Sequence, residues 1–237
     1  MRFELECILE DEVIPSDYNR KIISYFKKAL ENYNSEIKEL FYGQPREKDM
    51  SFCCFLPIEK IEDNKIFLKS KKFKIVISIE NIMEALHFYN AFVMSRNKNF
   101  AFGNENNFKV FRVRKIKETE INEETVLFKT LSPVLIREKL EGNRNWYYLL
   151  NEEKGLEVLK KNLLFTLSER FSKELVEKLE IIPVEIKKTV VHFYDLKFPA
   201  SRGIFAVKGD KKILEHIYKA GFASRKSIGF GLLDIVE

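Results

Sequence analysis

The strongest constraint in this chain is the order in which its apolar rhythm switches between a period of two and a period near 3.6 residues. The opening "RFELECIL" alternates Phe3, Leu5 and Cys7 with Glu4 and Glu6, as a half-buried strand does. "PSDYNRKIISYFKKALENY" then supplies start signals at Pro15 and Ser16, followed by Ile22, Ile23, Phe26, Ala29 and Leu30 at helical spacing. "MSFCCFLPI" and a hairpin-like "KIFLKSKKFKIVISI" read as strands, "IENIMEALHFYNAFVMS" as a second helix and "FKVFRVRKIKE" as a closing strand. That order is β-α-β-β-α-β.

The second half repeats it. "TVLFKTLSPVLIR" reads as a strand, residues 151 to 180 as one long helix, "PVEIKKTVVHFYDLKF" and "RGIFAVKG" as strands, and residues 210 to 220 as a helix before a last strand "GFGLLDIV". Two such sets predict an α+β protein of two tandem ferredoxin-like domains, 1–120 and 121–237, whose open sheets can present a face to RNA. With 237 residues, 45% of them hydrophobic, the chain can bury a core in each.

No run of eighteen apolar residues occurs, and the charged start lacks the apolar segment of a signal peptide, so a cytoplasmic protein with no membrane partner is expected. Cys7, Cys53 and Cys54 have neither disulfide-framework nor zinc-site spacing; the adjacent pair points to opposite faces of an alternating segment. Carboxylates such as Glu123 and Glu124 show no metal-ligand pattern either. No metal and no cofactor are expected.

The net charge of +5 favours a polyanionic partner only mildly. Cations and anions number 21 and 19 through residue 120, and 20 and 17 after it, so there is no basic tail and any nucleic-acid surface must be a local arrangement. The closing "AGFASRKSIGFGLLDIVE" is the best candidate. Gly221 suits a helix end, and Gly229 and Gly231 suit a bulge or a close backbone approach. Between them Ser224, Arg225, Lys226 and Ser227 put hydroxyl and cationic donors beside a backbone able to reach a phosphate. The pattern is neither a Walker loop nor a dinucleotide fingerprint.

A helix, then "GFASRKSIGFG", then a short strand resembles the glycine-rich C-terminal motif of the CRISPR-associated endoribonucleases that process repeat RNA, within the repeat-associated mysterious protein superfamily. "LSPVLIR" at 131–137, "GIFAVKGD" at 203–210 and "IPSDYNRKIISYFKKAL" agree with it in order and spacing. The resemblance implies two ferredoxin-like domains that bind a CRISPR repeat in precursor guide RNA and cut it once, without metal. Attack by the ribose 2′-hydroxyl leaves a cyclic phosphate and a 5′-hydroxyl. In the family the first helix often faces the cleavage site, which makes Arg20 a candidate phosphate contact beside the plainer reading of a solvated helix start, and Arg202 and Lys208 flank the "GIFAVKG" strand of a hairpin that in the family approaches the RNA duplex. Other effector-complex proteins and a second copy of the chain are further partners of the family type.

The family pattern breaks at one place. Many members carry a general acid/base histidine before a strand of the form lysine, any residue, Phe-Thr-Phe-Ser. Here "LFYGQPREKDMSFCCF" keeps Lys48, but the histidine position falls on Tyr42, or on Phe41 with a one-residue shift. Tyr42 and Lys48, with Arg46 nearby, are then the expected apparatus. Lysine and arginine can relieve phosphorane charge, but neutral tyrosine is a poor base, so slow cleavage is expected. Equally, Tyr42 reads as a stacking or core residue and Lys48 as a surface charge. His87 reads as a packed helix residue, and His192 and His216 as structural or RNA-adjacent. Arg112 and Arg114 share one strand face, as a basic face beside an RNA groove or an exposed edge strand guarded by charge would, and Arg144, Trp146 and Tyr147 could stack an unpaired base or anchor a core. Two rivals stay open: a non-catalytic RNA-binding relative or effector subunit, and a ferredoxin-like domain binding a small anion.

Overall fold

The computed structural model describes residues 1–44, 47–103, 106–193 and 196–236. Its chain divides into two compact bodies: residues 1–49, 53–117 and 192–196 form the first, and residues 50–52, 118–191 and 197–237 the second.

The first body holds β1 (Arg2–Leu9), β2 (Val13–Pro15), α1 (Tyr18–Tyr33), α2 (Ser35–Tyr42), the second half of β3 (Met50–Phe55), β4 (Ile58–Glu62), β5 (Lys65–Leu68), β6 (Lys72–Ile79), α3 (Ile82–Met94), β7 (Phe100–Gly103) and β8 (Asn106–Ile116). Its main sheet runs β3-β6-β1-β8-β7. Without the added edge strand β7, that is the ferredoxin-like order, in which the first strand sits between the third and the fourth. On α1, Ile22, Tyr25, Phe26, Ala29 and Leu30 are buried, the 3.6-residue stripe expected of a helix lying on a sheet. Tyr25 meets Phe92, Phe100 and Phe108, and its hydroxyl bonds Ser95 Oγ at 2.8 Å, so this buried phenol is satisfied. Asn34 separates α1 from α2, its side chain accepting from the amides of Glu36 and Ile37.

Two expectations need correction here. "KIFLKSKKFKIVISI" is not a hairpin: β5 pairs with β2 and β4 in a separate three-stranded sheet, while β6 pairs with β1. The turn that makes a hairpin is Asp63-Asn64 between β4 and β5, both residues left-handed at φ 47° and 59°. Arg112 and Arg114 do face the same way, but β8 is an inner strand and both are ion-paired to Glu6 and Glu4 across from them, with Lys74 sharing Glu4.

The second body holds β9 (Thr125–Thr130), β10 (Ile136–Lys139), β11 (Asn145–Tyr148), α4 (Glu153–Leu167), α5 (Lys173–Glu177), β12 (Glu180–Phe193) up to Val191, β13 (Leu196–Lys208) from Lys197, α6 (Lys211–Ala220) and β14 (Leu233–Ile235). Its sheet runs β12-β13-β9-β14, again the ferredoxin-like order. Register places Phe205 and Ile235 on either side of Phe128, and Val207 opposite Val126. These residues share the core with Val158, Leu159, Leu163 and Leu167 of α4 and Ile213, Leu214, Ile217 and Tyr218 of α6. The expected helix over 151–180 stops at Leu167 and restarts as the short α5. The expected strand over 183–198 is two strands, one ending at Phe193 and the next beginning at Leu196. β9 ends at Thr130, and "LSPVLIR" leaves the sheet instead of prolonging it. No helix among the described residues is long and apolar enough to cross a membrane.

Candidate nucleic-acid interface

The closing loop is built by its partners. The amide of Gly221 caps α6 on Ile217 O, and φ at Gly221 is +93°. Phe222 N–H then donates to Gly231 O at 2.8 Å, Ser224 N–H to Leu135 O at 3.0 Å, Gly229 N–H to Lys226 O at 3.2 Å and Gly231 N–H to Pro133 O at 2.9 Å. Leu131 and Ser132 return bonds to Leu232 O, and Leu232 N–H donates to Ser132 Oγ. "LSPVLIR" and the glycine loop are thus one hydrogen-bonded unit, although about ninety residues separate them in the chain.

That assignment corrects the expectation of a phosphate nest. The amides of Gly221, Gly229 and Gly231 are already bonded within the protein, and the glycines serve close backbone approach: a Cβ at Gly221 would stand 2.6 Å from Ser51 Cβ, and one at Gly231 would collide with the Phe222 carbonyl. Lys226 keeps only 7% of its surface, so its stem is packed into the loop. Ser224, Arg225 and Ser227 are half-buried at the loop tip. Ala223 and Arg225 hold left-handed φ of 65° and 61°, a strain kept by the packing on either side that turns the Arg225 side chain over an aromatic ring.

The ring is Phe198. The Arg225 guanidinium lies 5.8 Å from its centre, and the opposite partner is Tyr147, stacked at 4.4 Å with planes 9° apart. Tyr147 belongs to the two-stranded ribbon β10-β11, where it faces Arg137, with Lys139 one pair further along the same side. Glu138 and Trp146 occupy the other side, and Trp146 is 58% exposed. The outcome is a cationic and aromatic cluster in which Arg137, Lys139, Tyr147 and Arg225 gather around buried Phe198, and its cations and outer ring suit an RNA strand's phosphates and bases together. Arg202 is exposed on β13, beside Gly203, whose φ of +144° lets β13 pass against the backbone at Glu185. The sequence flagged Tyr147 and Arg225 separately; Phe198, which joins them, carried no signal beyond being an aromatic in a strand.

In the first body, Tyr42 ends α2 with its ring between two lysines, Lys27 Nζ at 5.2 Å and Lys48 Nζ at 5.5 Å from the centroid. Lys48 is also 5.7 Å from the Phe41 ring. The Tyr42 phenol oxygen is sealed from solvent without a hydrogen-bond partner among the described residues, and burial pushes its ionisation well above the usual tyrosine range, which sets the phenol against proton transfer. Arg46 lies outside the described residues. Arg20, exposed on α1, is paired with Asp17 at 2.9 Å. His87 contacts Tyr33, and buried His216 accepts at Nδ1 from Arg170 at 2.9 Å.

The family model described as "CRISPR associated protein Cas6, C-terminal" matches residues 116–235, just over half of the chain and all of the loop–ribbon unit. The chain belongs to the Cas6 family. It is 26% identical over 245 residues to the CRISPR-associated endoribonuclease-like protein Cas6nc of Pyrococcus horikoshii, with both chains fully covered. Among solved structures, the product of a Cas6-related gene from Pyrococcus furiosus superposes with a TM-score of 0.84 at 25% identity, covering all of this chain and 98% of that one. A structure titled as a RAMP protein binding different RNA substrates superposes at 0.82 and 23% identity, with full coverage of both, which fixes the shared fold. The tandem ferredoxin-like plan read from the apolar rhythm is therefore that of Cas6 and RAMP proteins.

Proposed function

We propose that this Cas6-family chain binds CRISPR repeat RNA and cuts it once within the repeat, releasing guide RNAs. The reaction is metal-independent attack of the 2′-hydroxyl on the adjacent phosphate, which gives a cyclic phosphate and a 5′-hydroxyl. The carrying observation is the Arg225–Phe198–Tyr147 cluster, in which buried Phe198 joins the family's glycine loop to the β10-β11 ribbon and gathers Arg225 and Tyr147 beside Arg137 and Lys139. Residues 121–237 supply this grip, with Ser224, Ser227 and Arg202 as further contacts. Residues 1–120 supply the cleavage site, where Lys48 and Lys27 relieve charge on the phosphorane and Arg20 contacts phosphate. The missing family histidine and the enclosed Tyr42 hydroxyl favour a second reading, a relative that holds the repeat without cutting it.

Labelled repeat RNA in EDTA, beside a copy with a 2′-deoxy sugar at the cut position, decides between them. A single cut in the first and none in the second is expected. Binding without cutting supports the second reading, and absence of binding removes both.

Arg225→Ala is expected to weaken repeat-RNA binding roughly tenfold and to lower the slope of log affinity against log salt by about one phosphate contact. Lys226→Ala, removing a buried stem, is expected to lower thermal stability and leave that slope unchanged. An unaltered Kd for Arg225→Ala across a salt titration removes the loop tip from the interface.

A further inference from the structure

Ser16 and His192 are 176 residues apart in sequence, and Ser16 Oγ lies 2.6 Å from His192 Nδ1, inside the first body. The serine is fixed from below: its own N–H donates to Asn64 O at 2.9 Å, in the tight turn between β4 and β5, and Pro15 before it is held in β2 against Lys65. The next residue, Asp17, opens α1 and pairs with Arg20. His192 comes from the end of β12, and both partners are half-buried, so the ring is oriented without being sealed in. This is the one described imidazole held by a hydroxyl at the start of the helix that carries Arg20. His87 rests on the phenol of Tyr33, and His216 is buried with its Nδ1 taken by Arg170.

Resting on the cleavage reading above, we infer that His192 is the general acid of the reaction, with Ser16 as its positioning residue. Nδ1–H donates to Ser16 Oγ, which leaves Nε2–H directed away from the serine, toward substrate. As the 2′-oxygen bonds to phosphorus and the P–O5′ bond breaks, the Nε2 proton passes to the departing 5′-oxygen. The 2′-hydroxyl proton goes to water, and the imidazole regains its proton from water, so the step is balanced with no other reagent. A third group orienting a proton-transfer imidazole is the ordinary architecture of such sites, and Arg20, the phosphate contact of the cleavage reading, stands one helical turn along the chain from Ser16. It also accounts for the lost histidine near Tyr42: the imidazole is supplied from the β12 end instead.

The test uses the full chain and two RNAs: the repeat, and the same repeat with a 5′-bridging sulfur at the cut position, whose thiolate leaves without an acid. His192→Ala is expected to slow cleavage of the oxygen substrate by roughly 100-fold, to cut the sulfur substrate within about threefold of wild type, and to regain rate on the oxygen substrate with added imidazole. Ser16→Ala is expected to lose about tenfold on oxygen and nothing on sulfur. Repeat-RNA Kd is expected to stay unchanged in both. Wild-type rates from His192→Ala, or equal slowing on both substrates without imidazole rescue, overturn the inference and leave the cleavage reading standing. A wild-type chain that binds the repeat and cuts neither substrate overturns both.

Discussion

Replacing Gly231 with alanine is expected to destabilise the second body by roughly 4 kcal/mol and lower its unfolding midpoint by about 10 °C. The position is closed on three sides. Its φ is +68°, and an added Cβ would overlap the Phe222 carbonyl oxygen and lie 3.0 Å from that carbonyl's carbon. Neither backbone can yield: Phe222 N–H is bonded to Gly231 O, Gly231 N–H is bonded to Pro133 O, and the Phe222 ring is fully buried against Phe205 at 5.0 Å. Relief therefore means breaking the bonds that join "LSPVLIR" to the loop, which exposes buried amides and carbonyls at about 1–3 kcal/mol each. Trp146, the chain's only tryptophan, belongs to the same body, so its fluorescence follows this transition. Gly142→Ala is the control: φ is +69°, yet nothing lies within 4 Å of the new methyl, and the cost should stay near 1 kcal/mol. If the two variants melt together, the loop is not held as described.

The same loop shows where a one-dimensional reading stops. Its glycines, serines and cations were legible as a functional cluster, and the family motif located them. The amides seemed available because their acceptors, the carbonyls of Pro133 and Leu135, lie some ninety residues upstream, and nothing in local spacing couples the two stretches. Periodicity had the same reach elsewhere. It revealed β1, α1, α3 and β8 because each buries one face at a fixed period. It could not reveal that β5 turns to β2 and β4 while β6 turns to β1, since alternation identifies a strand but not its neighbour. The Asp63-Asn64 turn was the available signal for that hairpin. The stop at Leu167 had Ser168 and Ser172 as its only markers, weak beside a continuing apolar stripe. Phe198 on Tyr147, and Ser16 on His192, join residues about fifty and about 180 positions apart, so each site could be assembled only once the chain was folded.

Lys48→Ala is expected to slow repeat-RNA cleavage by roughly 100-fold while changing Kd less than about threefold, because one cation directed at developing phosphorane charge contributes about 2.7–4 kcal/mol to the transition state. Lys48→Arg, which keeps the charge, should recover much of the rate. The paired variant is Tyr42→Phe. If the phenol moved a proton, its loss would cost as much as the lysine. Its oxygen is instead enclosed and without a hydrogen-bond partner among the described residues, and burial holds it protonated far above neutral pH, so removing it deletes an unsatisfied polar group and keeps the ring on which Lys27 and Lys48 rest. Tyr42→Phe should cut RNA within about twofold of wild type and melt at the same temperature or higher, whereas Tyr42→Ala, which removes the ring, should lose rate by releasing Lys48 from its position. A single-turnover rate for Tyr42→Phe as low as that of Lys48→Ala would show that the phenol opens to the substrate and would return it to the chemistry.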